Sequence, residues 1–72
     1  MIYFENVDVI EVNNSKEAVA EKHMASAKDS YWSLCIVISY GNLCVVCNAD
    51  TIEELYVWAD LHGLKIVNEL TF

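Results

Sequence analysis

The side chains best suited to redox, metal or proton-transfer chemistry are three Cys, two His and eleven Asp or Glu. Cys44-Val-Val-Cys47 has the spacing of a dithiol redox pair. Such a pair works at a helix N-terminus, where the dipole lowers a thiol pKa. Here it falls inside an alternating run that reads as a strand, so the two sulfurs are expected on opposite faces, out of reach of a disulfide or a shared metal. Cys35 shares a face with Cys44, but the expected register sets them about 13 Å apart along the strands. All three therefore read as packing thiols. Zinc would need His23 or His62 beside them, and nothing in the spacing brings these groups together. Ser, His and Asp occur without a nucleophile elbow. The two glycines, Gly41 in a turn and Gly63 at a helix end, leave no loop to cradle a phosphate. The sequence predicts no catalytic residue, no metal and no cofactor.

Charge is more informative. Eleven carboxylates face four Lys and no Arg, a formal net charge of −7 at pH 7. Without Arg there is no planar fork to hold phosphate bidentately, and an acidic surface repels a nucleic-acid backbone. Direct nucleic-acid binding is therefore not expected, and a basic protein is the expected partner. The longest apolar runs, such as Leu34 to Ile38 and Leu43 to Cys47, are five residues, far short of the ~20 residues that span a bilayer. The start, Met-Ile-Tyr-Phe-Glu, lacks the basic and apolar regions of a signal peptide. An odd number of Cys without framework spacing suits a reducing compartment, so the expected location is cytoplasmic. Six Asn and four Lys occur while Arg, Pro and Gln are absent, a composition that points to an AT-rich genome such as that of a phage or mobile element.

The elements that must position these groups follow from periodicity. Trp32, Leu34, Ile36, Ile38 and Tyr40 alternate with Tyr31, Ser33, Cys35, Val37 and Ser39, a strand pattern. Gly41-Asn42 is a two-residue turn signal, and Leu43, Val45, Cys47 and Ala49 alternate beyond it. Such a turn pairs Tyr40 with Leu43, Ile38 with Val45, Ile36 with Cys47 and Leu34 with Ala49, placing every larger apolar residue on one face. Asn14-Ser-Lys-Glu17 has the form of a capping box and predicts a helix to about Asp29, with Ala20, Met24 and Ala27 along one stripe. Thr51-Ile-Glu-Glu54 is a second capping box, opening a helix whose inner face is Ile52, Leu55, Trp58, Ala59 and His62 and whose C′ residue is Gly63. Leu64 to Leu70 reads as a final strand. A first strand lies within Ile2 to Val12, with a bulge expected between Val9 and Ile10.

The 72 residues thus predict a single α+β domain. The order strand, helix, strand, strand, helix, strand resembles the split βαβ pattern of ferredoxin-like domains: a βαββαβ chain, with a four-stranded antiparallel sheet and two helices on one face. That fold carries many activities and identifies none. Two surfaces are candidates for function. Glu53, Val57 and Asp60, with Glu54 beside them, share the outer face of the second helix and form the expected partner-binding surface. The sheet face away from the helices presents Tyr31, Ser33, Cys35, Val37, Val46 and Val67, the expected interface of a homo-oligomer. The functional expectation is a small acidic binding module, an inhibitor, immunity or antitoxin-like protein, phage-encoded and acting against host defence. The alternative is a homo-oligomeric regulatory domain with a small molecule at the subunit interface.

Overall fold

In the computed structural model, residues 1–6, 16–24, 29–39 and 42–71 are described. Among them are five strands and one helix: β1 (Ile2–Glu5), β2 (Glu17–Met24), β3 (Ser30–Ser39), β4 (Asn42–Ala49), α1 (Ile52–Leu61) and β5 (Lys65–Thr71). The strands form one mixed sheet in the order β1-β4-β3-β2-β5. This overturns the expected four-stranded antiparallel sheet with two helices.

The decisive difference is β2. Residues 17–24, expected inside a helix, are extended and lie between β3 and β5 in the sheet. Ala, Glu, Lys and Met favour helices by intrinsic propensity. Here that preference is outweighed by pairing on both sides, antiparallel to β3 from Ala18↔Ile36 to Met24↔Ser30 and parallel to β5. Position in a sheet, more than intrinsic preference, decides strand stability. Ala18 and Ala20 are buried on the helix side of the sheet, at the period of two that a strand requires. Asn14 and Ala27 lie outside the described residues, as does the bulge expected at Val9 and Ile10; β1 instead carries an irregularity between Ile2 and Phe4.

β3 and β4 pair as an antiparallel hairpin, but in a different register from the expected one. Trp32 faces Ala49 and Leu34 faces Cys47. Val46 is then an extra residue, and beyond it Cys35 faces Val45 while Ile36 faces Cys44. Such a bulge reverses the alternation of one strand relative to its partner. Cys44 consequently packs against the helix-side core together with Cys47, and Val46 is itself within that core. Tyr40 and Gly41 lie outside the described residues.

Strand directions explain the helix. β2 and β4 each run antiparallel to β3, and β5 runs parallel to β2, so β4 and β5 point the same way. Strands so oriented need a crossover connection, and α1 supplies it. It touches β4, β3, β2 and β5 on its way over the sheet. Beneath it lie Ala18, Ala20, Leu34, Ile36, Val46, Cys47 and Ala49, buried against Leu55, Trp58, Ala59 and Leu64.

Both ends of α1 are set locally. Glu54 accepts a hydrogen bond from the Thr51 amide at 3.3 Å, the reach-back half of a capping box. At the other end the Leu64 amide donates to Ala59 O at 2.8 Å and the Gly63 amide to Asp60 O at 3.3 Å, with Gly63 at φ +71°. That is the Schellman closure, which needs a left-handed residue.

Ala20 is fully buried whereas Met24 is 57% exposed, so Ala20→Asp should severely destabilise the domain while Met24→Lys stays within about 0.5 kcal/mol. Comparable losses in urea unfolding would restore the helical stripe. Gly63→Ala meets no atom within 4 Å of the new Cβ, so its cost is the left-handed backbone alone, about 1–2 kcal/mol by thermal melting.

Candidate functional site

α1 lies across four strands and reaches the fifth, β1, chiefly by its flank. Between that flank and β1 is a groove of about 320 Å³ lined by Ile2, Glu53, Glu54, Val57, Trp58 and Leu61. Val57 and Leu61 follow Glu53 at successive turns of the helix and stand 62% and 76% exposed. Apolar side chains this bare on a small surface are suited to burial against another molecule.

The floor is held in place. The Trp58 indole N–H donates to Glu5 Oε1 at 2.7 Å, tying the helix to β1. His62 stacks on the same indole with ring centroids 3.9 Å apart, and its Nδ1 lies 2.8 Å from the Trp58 carbonyl oxygen. The Tyr56 hydroxyl donates to Glu69 and ties the helix to β5; that bond pushes the phenol pKa up. With Trp58 and Tyr56 both bonded, the helix is fastened toward each edge of the sheet.

The rim is acidic. The Met1 amino group lies 3.3 Å from Asp50 Oδ2 and also pairs with Glu54. The hydrogen bond to that ammonium lowers the Glu54 carboxyl pKa, and the carboxylate raises that of the amine. Glu53 and Asp60 are exposed. Of the four residues expected on the partner-binding surface, the fold brings Glu53, Glu54 and Val57 together in the groove and leaves Asp60 outside its lining. Ile2, Trp58 and Leu61 also line the groove and lie outside the expected surface, Trp58 having been placed on the inner face of the helix. Leu61 could have been found from its i+4 spacing to Val57; Ile2 reaches the groove only through the pairing of β1 with β4.

The expected oligomer face is differently built. Val46 is completely buried on the helix side, and Ser33 and Cys35 are buried as well. Ser33 spends its hydroxyl on Asn48 Oδ1 at 2.7 Å. Tyr31 is half-buried and stacks on His23, centroids 5.0 Å apart. Val37 and Val67 remain exposed. The six residues therefore do not form one solvent-facing surface.

The thiols are free. Burial, reinforced by Glu21 beside Cys35 and by Glu5 beside Cys47, pushes both groups up to about 12. A thiol that resists ionisation is a poor nucleophile and metal ligand. Among the described residues no cluster of His, Cys, Asp and Glu is arranged to hold a metal ion, and no helix is long and apolar enough to cross a membrane. Comparison with protein-family models, curated proteins and solved structures gives no match.

Raised thiol pKa values have a consequence for stability. The folded state holds both protons more tightly than the unfolded chain, so this contribution is complete below the ordinary value of 9.0 and is lost as pH rises toward about 12. Urea midpoints should fall over that alkaline window, and a Cys35→Ala, Cys47→Ala variant should show less of the fall. Alkylation at neutral pH should reach half-buried Cys44 first, as read by peptide mass.

Proposed function

We propose that this chain is a small, acidic, non-catalytic binding module of the inhibitor, immunity or antitoxin kind, and that it seats a basic protein against the flank of α1. The observation that carries this is the groove: apolar Ile2, Val57, Trp58 and Leu61 sit directly beside Glu53 and Glu54. Apolar contacts flanked by like charges suit a partner with an apolar anchor between Lys or Arg residues. The charge of −7 extends the same preference over the whole molecule and speeds encounter with a basic surface. Proteins that handle nucleic acids carry such surfaces, and occupying one would block it. Free thiols, two of them buried, suit a reducing cytoplasm, and the Arg-free composition suits a phage or mobile element aiming such a block at a host defence protein. The alternative of a homo-oligomer built on the far sheet face draws less support, since Val46, Ser33 and Cys35 are buried within one chain.

The test is charge reversal. Glu53→Lys, Glu54→Lys and Asp60→Lys together should abolish capture of a basic protein from the source cells, while circular dichroism stays unchanged. The folding cost should be about 0.3–1 kcal/mol per reversed charge near the helix N-terminus. Wild-type capture should weaken as ionic strength passes ~0.1 M, where the screening length is ~10 Å. Undiminished capture by the triple variant would remove α1 as the recognition surface.

A further inference from the structure

We propose that the basic partner docks as an extended strand along the free edge of β1, adding a strand to the sheet and placing apolar side chains in the groove. This rests on the binding function just proposed and specifies the shape of the partner segment. Among the described residues, β1 ends the sheet and pairs with β4 on one side only. The Asn6 amide donates inward to Val46 O at 2.7 Å. By strand alternation the Glu5 amide and carbonyl, one residue back, point to the free side. Edge strands are commonly blunted by shortness, a bulge, Lys, Pro or a cover; β1 is four residues long and irregular between Ile2 and Phe4, which leaves Phe4 and Glu5 as its regular pairing stretch. β1 reads Ile2-Tyr3-Phe4-Glu5, with neither Lys nor Pro, and its one carboxylate is bonded to Trp58 on the helix side.

The groove continues this edge, because Ile2 belongs to both. A further strand would lie about 4.8 Å beyond β1, with every second side chain turned toward the helix side. Those side chains would meet Ile2 below and the bare Val57 and Leu61 beside them. Tyr3 and Phe4, both more than 40% exposed, would gain a neighbour from the same strand.

Charge selects the occupant. A second copy paired edge to edge would bring a second set of Asp50, Glu53 and Glu54 toward the first, three carboxylates against one Met1 ammonium on each side, and that excess of like charge disfavours the arrangement. A segment with Lys or Arg flanking its apolar positions turns the same carboxylates into attractions. The contacts of the Met1 ammonium with Asp50 and Glu54 show that the rim holds a cation. Main-chain bonding along the edge gives affinity, and the groove and rim give selectivity, as in other strand-addition modes.

The test uses the intact chain and a capped peptide, Lys-Thr-Val-Thr-Val-Thr-Lys, whose Val and Lys side chains share one face when extended. Its twin carries N-methyl groups on the edge that would pair. Titration followed by amide NMR should show protection of the Glu5 amide by the first peptide, and roughly tenfold weaker binding of the twin, the loss of one or two backbone hydrogen bonds. Equal binding of both peptides, lost in Glu53→Lys, would overturn strand addition while leaving the acidic groove as the recognition surface. Binding of neither at millimolar concentration would overturn it too, with the capture experiment deciding separately on the function. A dimer by light scattering, its Glu5 amide protected without peptide, would assign the edge to a second copy and also overturn the proposal.

Discussion

The crossover of α1 rests on a sheet in which small residues are interspersed with larger ones. Ala18, Ala20, Cys47 and Ala49 are all buried under the helix, and none projects far from its strand. Beside them Leu34, Ile36 and Val46 are buried in the same core as Leu55, Trp58 and Ala59. Close packing of this kind tolerates little change in volume. The placement of Trp58 and the course of the helix flank depend on that fit, and so does the groove.

The same constraint explains what could be read from the residues and what could not. α1 was legible because its signals are local: Glu54 reaches back to Thr51 and Gly63 closes the last turn. β3 and β4 were legible because Trp32, Leu34 and Ile36 alternate with smaller neighbours. β2 was not, since Ala20 fits a helical stripe with Met24 and Ala27 as readily as a strand face with Ala18, and only partners distant in the chain decide between them. The slip at Val46 was hidden for a related reason. Cys44, Val45, Val46 and Cys47 are all apolar, so either alternation offers the core an apolar side chain, and the pattern specifies no register there.

The groove follows a similar division. Glu53, Glu54 and Val57 were visible as one exposed helix face, whatever sheet lay beneath. Ile2 became part of the site through the pairing of β1 with β4, and Glu5 through its bond to Trp58. What distinguishes the acids here from an ordinary solvated face is the apolar floor beside them, which comes from tertiary structure. A charged helix alone would attract many basic surfaces weakly; an adjacent cleft adds shape to that attraction.

The parallel pairing of β2 with β5 joins Glu17 to Lys65, residues far apart in the chain. Contacts so distant in sequence are slow to form, because the intervening loop must close before they contribute. The β3–β4 hairpin and α1 are local and can organise early, whereas β2 gains its second neighbour only when β5 arrives. During synthesis β2 therefore waits with one edge bare until the last strand emerges, and the domain gains its full set of contacts late. With no proline in the chain, no prolyl isomerisation adds to that delay. Completion is governed by topology.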